Sequence, residues 1–127
     1  MRRLIALAAA AATIVALALV QAGAAGPGSS LGSYFFGPKL VRAEVVINEA
    51  GTIHDYRADR GRIRMIAPGS LTLFERDGTL VTVPVAPTAN ITLGGVTVPF
   101  SRLRRGFTAT TVRDGSAAAS IVQATRR

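Results

Sequence analysis

The only histidine of this chain, His54, is followed directly by Asp55, a pairing in which a carboxylate could orient an imidazole for general-base work. The surrounding residues read as an extended strand, where neighbouring side chains point to opposite faces. The two therefore cannot hydrogen-bond to one another without a bulge, and no G-x-S-x-G nucleophile elbow accompanies them. We read His54 as a half-exposed strand histidine. Glu44, Glu49, Asp55 and Asp59 gather within residues 44–59 but lack the fixed loop spacing of an EF-hand. They read as solvated charges offsetting nearby arginines. The chain has no cysteine, which removes thiol catalysis, a cysteine lipid anchor and most structural zinc sites. The expectation is a protein that is not an enzyme, with no catalytic residue, no metal and no cofactor.

Arginine supplies the remaining chemistry. Arg60, Arg62 and Arg64, spaced two apart, would line one outer face of a strand, and Arg102, Arg104 and Arg105 crowd a bend further on. Folded together, the two groups would form a patch able to grip phosphates or carboxylates bidentately; folded apart, they would be a solvated basic face. The balance of 15 Lys+Arg against 7 Asp+Glu, a net charge of +8, favours anionic partners. An envelope polymer, lipid headgroups and a protein partner all fit. A nucleic-acid or oligosaccharide surface would also need exposed rings for stacking, and only Phe74, opposite in facing to Leu71 and Leu73, offers one.

The elements that must position these residues follow a leader. Met1-Arg2-Arg3 is positive, residues 4–20 are apolar apart from Thr13, and Ala22-Gly23-Ala24 fits an A-x-A cleavage site. These are the parts of a secretory signal peptide, which places the protein in the periplasm, the cell envelope or outside and makes intracellular nucleic acid an unfavoured partner. The alternative is an uncleaved helix anchored in the inner membrane through residues 4–20. Arginine is preferred over lysine, Lys39 being the only lysine, and alanine is abundant; this bias suggests a GC-rich bacterial genome. Residues 25–39 read as a flexible glycine-serine linker and an aromatic arm, Tyr34-Phe35-Phe36, and residues 40–125 as a single domain.

That domain is organised around a hairpin at residues 70–85. Leu71 and Leu73 face one way, Val81, Val83 and Val85 match them on the return, and Asp77-Gly78 suits a tight type I′ turn. Before it, residues 40–48 form a strand turned by Glu49-Ala50-Gly51. Residues 52–57 return, with contacts centred on Ile53 and Tyr56, to a break at Asp59-Arg60-Gly61. Residues 62–66 alternate, with Ile63 and Met65 inward. After Pro87, residues 90–93 and 96–98 flank Gly94-Gly95. Residues 101–105 make one helical turn or a bend with Leu103 inward, and residues 107–113 and 117–124 form a last hairpin at Asp114-Gly115. Seven or eight short strands with no long helix after the leader predict an all-β domain, a small antiparallel barrel of the OB or SH3-like kind.

The order of features from Gly61 to Ala124 resembles a family of small β-barrel domains of exported bacterial proteins. It runs Gly-Arg-Ile, S-L-T-L, R-D-G-T, T-V-P-V, N-I-T-L-G-G-V-T-V-P, S-R-L-R-R-G and a final R-D-G. The family's bend, a leucine followed two residues later by glycine, is Leu103-Arg104-Arg105-Gly106 here; the usual Pro-Gly-Asp is replaced by Arg105-Gly106-Phe107. The resemblance implies a fold and carries no site residues. The functional expectation is a secreted or envelope-associated binding module, with an exported OB-like nucleic-acid or oligosaccharide binder as the alternative.

Overall fold

The alternation of buried and exposed side chains along the chain has the period of two that a pleated sheet imposes. The structure, a computed structural model, describes residues 37–127; the leader, most of the linker and Tyr34-Phe35-Phe36 lie outside the described residues. Val41–Arg127 forms one unit. Its strands are β1 (Arg42–Glu49), β2 (Thr52–Ala67), β3 (Ser70–Glu75), β4 (Leu80–Leu93), β5 (Val96–Thr97), β6 (Thr108–Asp114) and β7 (Ala119–Thr125), with one 3-10 turn at Phe100–Arg102. The described residues are all-β. None of their helices is long and apolar enough to cross a membrane.

The seven strands form one sheet in the order β1-β2-β3-β4-β7-β6, with β5 folded back on β4. Purely antiparallel pairing does not hold, because β4 and β7 run parallel, from Val85↔Ala119 to Leu93↔Ala124. A parallel neighbour requires a crossover rather than a hairpin, and the chain makes it through β5, the 3-10 turn and β6. On its other edge β6 pairs with β2, from Tyr56↔Asp114 to Arg62↔Thr108, so the strand path returns to β2.

Two strands are longer than their local signals suggest. β2 runs 16 residues straight through Asp59-Arg60-Gly61, which is no break. Gly61 pairs with both Glu75 and Ala109, and a Cβ placed on it would lie 2.6 Å from the Phe74 carbonyl oxygen. This glycine permits close backbone approach rather than a turn. β4 runs 14 residues through Pro84 and Pro87. Its ladder to β7 shifts register between Val85 and Asn90, so Pro87 falls where the bonding pattern is already interrupted and its missing N–H is tolerated.

The turn types are redistributed. The β3–β4 hairpin closes through the Gly78 N–H donating to the Glu75 carbonyl at 3.0 Å. Only Gly78 takes positive φ there, at 87°, whereas Asp77 does not. This is a three-residue loop with the glycine in the bulge position, not a type I′ turn. The type I′ pattern appears instead at Ala50-Gly51, with φ of 51° and 87°, between the paired Glu49 and Thr52. A register shift between Ile63 and Met65 also turns Met65 outward, leaving it 60% exposed. Ile53 is exposed as well, while Tyr56 is buried.

The core is gathered as the hairpin pattern requires. Ile63, Leu71, Leu73, Val83, Val85, Ile91, Leu93, Leu103 and Val122 are buried together with Ala109, Ala119 and Ala124. Full burial of each branched side chain contributes about 1.5 to 3 kcal/mol. The small alanines sit where β6 and β7 pair (Ala109↔Ala124).

Candidate anion-binding surface

The β2 register divides the arginines. Arg60 is partly buried, and its Nη1 donates to the Thr110 hydroxyl at 3.0 Å. Burial, with Arg76 nearby, holds its pKa below the usual arginine value. Arg60 is thus committed to the sheet and leaves the predicted row. Arg62 and Arg64 are exposed. The Arg64 guanidinium carbon lies 4.6 Å from the centroid of the Phe74 ring, and Phe74 is 38% exposed, so a cation–π stack stands on the outer surface of β2 and β3.

Arg102, Arg104 and Arg105 reach the same half of β2 through the bend. The Gly106 N–H donates to the Ile63 carbonyl at 2.9 Å and the Ile63 N–H to the Phe107 carbonyl at 2.7 Å, locking the bend beside residues 63–66. Leu103 anchors it from inside at 2% exposure. Arg104 Nη1 donates to the Ser101 and Leu103 carbonyls at 2.6 and 3.0 Å, so it caps the turn while the residue stays exposed. Ile66, Phe100, Ser101, Leu103, Arg104 and Arg105 line an open cleft of about 480 Å³.

All seven carboxylates lie elsewhere: on β1, the first half of β2, the end of β3, the β3–β4 turn and the end of β6. Residues 78–113 contain no acidic residue. Among the described residues, Arg42, Arg57 and His54 carry ion pairs, and none is formed by Arg62, Arg64, Arg102, Arg104 or Arg105. Arg62, Arg64, Arg102, Arg104 and Arg105 therefore have no carboxylate within 4.0 Å.

The acidic residues other than Asp59 gather in twos around a single cation each, Arg42, Arg57 or His54. Arg57 lies 3.1 Å from Asp55 and 3.8 Å from Glu44. The nearby Glu44 and Asp55 carboxyls share a proton unequally, which holds the Asp55 pKa down and pushes that of Glu44 up. Glu75 is 1% exposed; burial, then the neighbouring Asp59 charge, raise its pKa, with Arg42 opposing. Arg42 Nε stands 3.5 Å from Glu75 Oε2, while its Nη2 donates to Asp77 at 2.6 Å. Arg42 thereby ties β1 to the β3–β4 turn over the buried carboxyl. No group of three or more metal-ligating side chains is assembled among the described residues.

Local spacing also hid the partner of His54. Its Nδ1 donates to Asp114 Oδ2 at 2.6 Å, and its Nε2 lies 3.6 Å from Glu49 Oε2. Its ring stacks on Tyr56 with centroids 5.5 Å apart. Asp114 is 60 residues away and arrives through the β2–β6 pairing, which no short-range signal encodes. Among the described residues no hydroxyl is hydrogen-bonded to His54, so the group fastens the β1–β2 hairpin to the end of β6 and offers no nucleophile.

Comparison with protein-family models, with curated proteins and with solved structures finds no match to this chain.

Proposed function

We propose that the domain is a non-enzymatic module of the cell envelope or exterior that binds an anionic partner through Arg62, Arg64, Arg102, Arg104 and Arg105. The observation that carries this reading is the charge segregation. The register gathers five exposed arginines at one half of β2, with no carboxylate among them. Guanidinium groups that are not internally paired remain free to take phosphate or carboxylate bidentately. The leader-like residues 1–24 support the location.

In this reading β2-β3-β4-β7-β6 closes as a five-stranded barrel of OB type and β1 extends its first strand. Support comes from the β6–β2 pairing, the parallel β4–β7 pair and the bend crossing between β5 and β6. This strand order supports the OB arrangement over an SH3-like one. The exposure of one ring, Phe74, favours a second reading, an exported binder of nucleic acid or oligosaccharide on the outer surface of β2 and β3.

The test is binding of the full chain to polyphosphate, single-stranded DNA and a neutral oligosaccharide across salt concentrations. Anion binding predicts affinity for polyphosphate that falls steeply with salt and drops in Arg62→Ala/Arg105→Ala. Salt-independent binding to the neutral sugar alone would overturn it.

A further inference from the structure

We infer that the arginine-bearing end docks on an anionic lipid surface, with Met65 and Ile66 entering the headgroup boundary between Arg64, Arg102, Arg104 and Arg105. This rests on the anion-binding reading and names its partner. The bulge between Ile63 and Met65 is the device: it turns Met65 to the outer face at 60% exposure, while the next residue, Ile66, 36% exposed, opens on the other face at the same end of the strand. Bulges commonly re-aim a side chain in this way. Ile66 shares the cleft with Phe100, Arg104 and Arg105, so aliphatic surface and cations are interleaved at one place. That mixture fits a boundary where phosphates lie above acyl chains, and long arginine side chains can reach up to the phosphates while aliphatic groups sink.

Nucleic acid fits this end less well, because base stacking needs open ring faces. Phe74 already carries Arg64 over its ring, and Phe100 and Phe107 are partly buried against the core. The carboxylates, held toward β1 and the β3–β4 turn, are repelled by the same surface and set the orientation. A basic side chain close to an anionic bilayer contributes about fivefold in partitioning, an attraction that reaches about 8 Å at physiological ionic strength.

The chain has no tryptophan, so Met65→Trp and, separately, Ile53→Trp at the exposed start of β2, the end of the strand opposite Met65, each install a single reporter. The full-length variants are mixed with phosphatidylcholine vesicles containing or lacking phosphatidylglycerol, at low and physiological salt. The difference between the two vesicle types is the readout, since apolar residues 4–20 partition into both. The expected result is a blue shift of the Met65→Trp emission on phosphatidylglycerol vesicles that salt reverses, with none for Ile53→Trp. Adding Arg102→Ala and Arg105→Ala should weaken the phosphatidylglycerol-dependent gain in partitioning by about 25-fold, while circular dichroism stays unchanged. A shift in both reporters, or one independent of phosphatidylglycerol, overturns the orientation and the inference. Binding to polyphosphate or single-stranded DNA without vesicle binding overturns the lipid partner and leaves the anion-binding reading intact; no binding to any of them ends both.

Discussion

Gly61→Ala tests the way β2 passes β3. The added methyl would stand 2.6 Å from the Phe74 oxygen, 2.8 Å from its carbonyl carbon and 3.1 Å from the Glu75 nitrogen. All three are backbone atoms, which cannot swing aside as a side chain can. Ordinary contact begins near 3.4 Å, so the strands must part by almost an ångström. Gly61 is bonded into β3 on one side and β6 on the other, and Leu73 and Ile63 beside it are core residues. Parting the strands therefore strains two ladders and loosens the core. We expect a loss of about 3 kcal/mol, the upper part of the range for an added methyl in a packed site. With a urea dependence of about 1 kcal/mol per molar, the unfolding midpoint followed by far-ultraviolet circular dichroism should fall by about 3 M. Gly69→Ala is the control: nothing lies within 4 Å of its Cβ, and only its φ of 73° opposes the change, at about 1 kcal/mol. If Gly61→Ala cost no more than Gly69→Ala, the close approach would be wrong.

The pH dependence of stability should carry the signature of Glu75. Its folded pKa is raised, so its contribution is fully present below the ordinary glutamate range and is lost as pH rises through the folded value. Glu75→Gln should flatten that part of the profile in urea titrations taken between about pH 4 and pH 8; an unchanged slope would assign it to other groups. Arg60→Ala should cost about 1 kcal/mol, because the buried Thr110 hydroxyl loses its partner. Arg62→Ala should stay within about 0.5 kcal/mol of the parent, and equal losses at the two positions would erase the distinction drawn between them.

What the sequence determined alone was whatever depends on neighbours along the chain. The alternation at Leu71, Leu73, Val83 and Val85 marks a buried face because strand side chains repeat every two residues, and those four residues are core. Leu103 inside a polar bend and glycines at turns were legible for the same local reason, as was the exposure of Phe74. Tertiary structure decided everything carried by pairing between distant segments. Gly61 looks like a turn residue until β3 is laid against it. Met65 looks inward until a bulge shifts the ladder. Asp77-Gly78 sits in a three-residue loop and Ala50-Gly51 takes the type I′ turn because strand register, not the dipeptide, sets loop length. His54 and Asp114 meet, and Arg60 leaves the arginine row for Thr110, only because β6 returns along β2. The arginine sites could be counted in the sequence. That five of them share one half of β2 without a carboxylate follows from the order of strands, which is a property of the closed set of pairings and of no single segment.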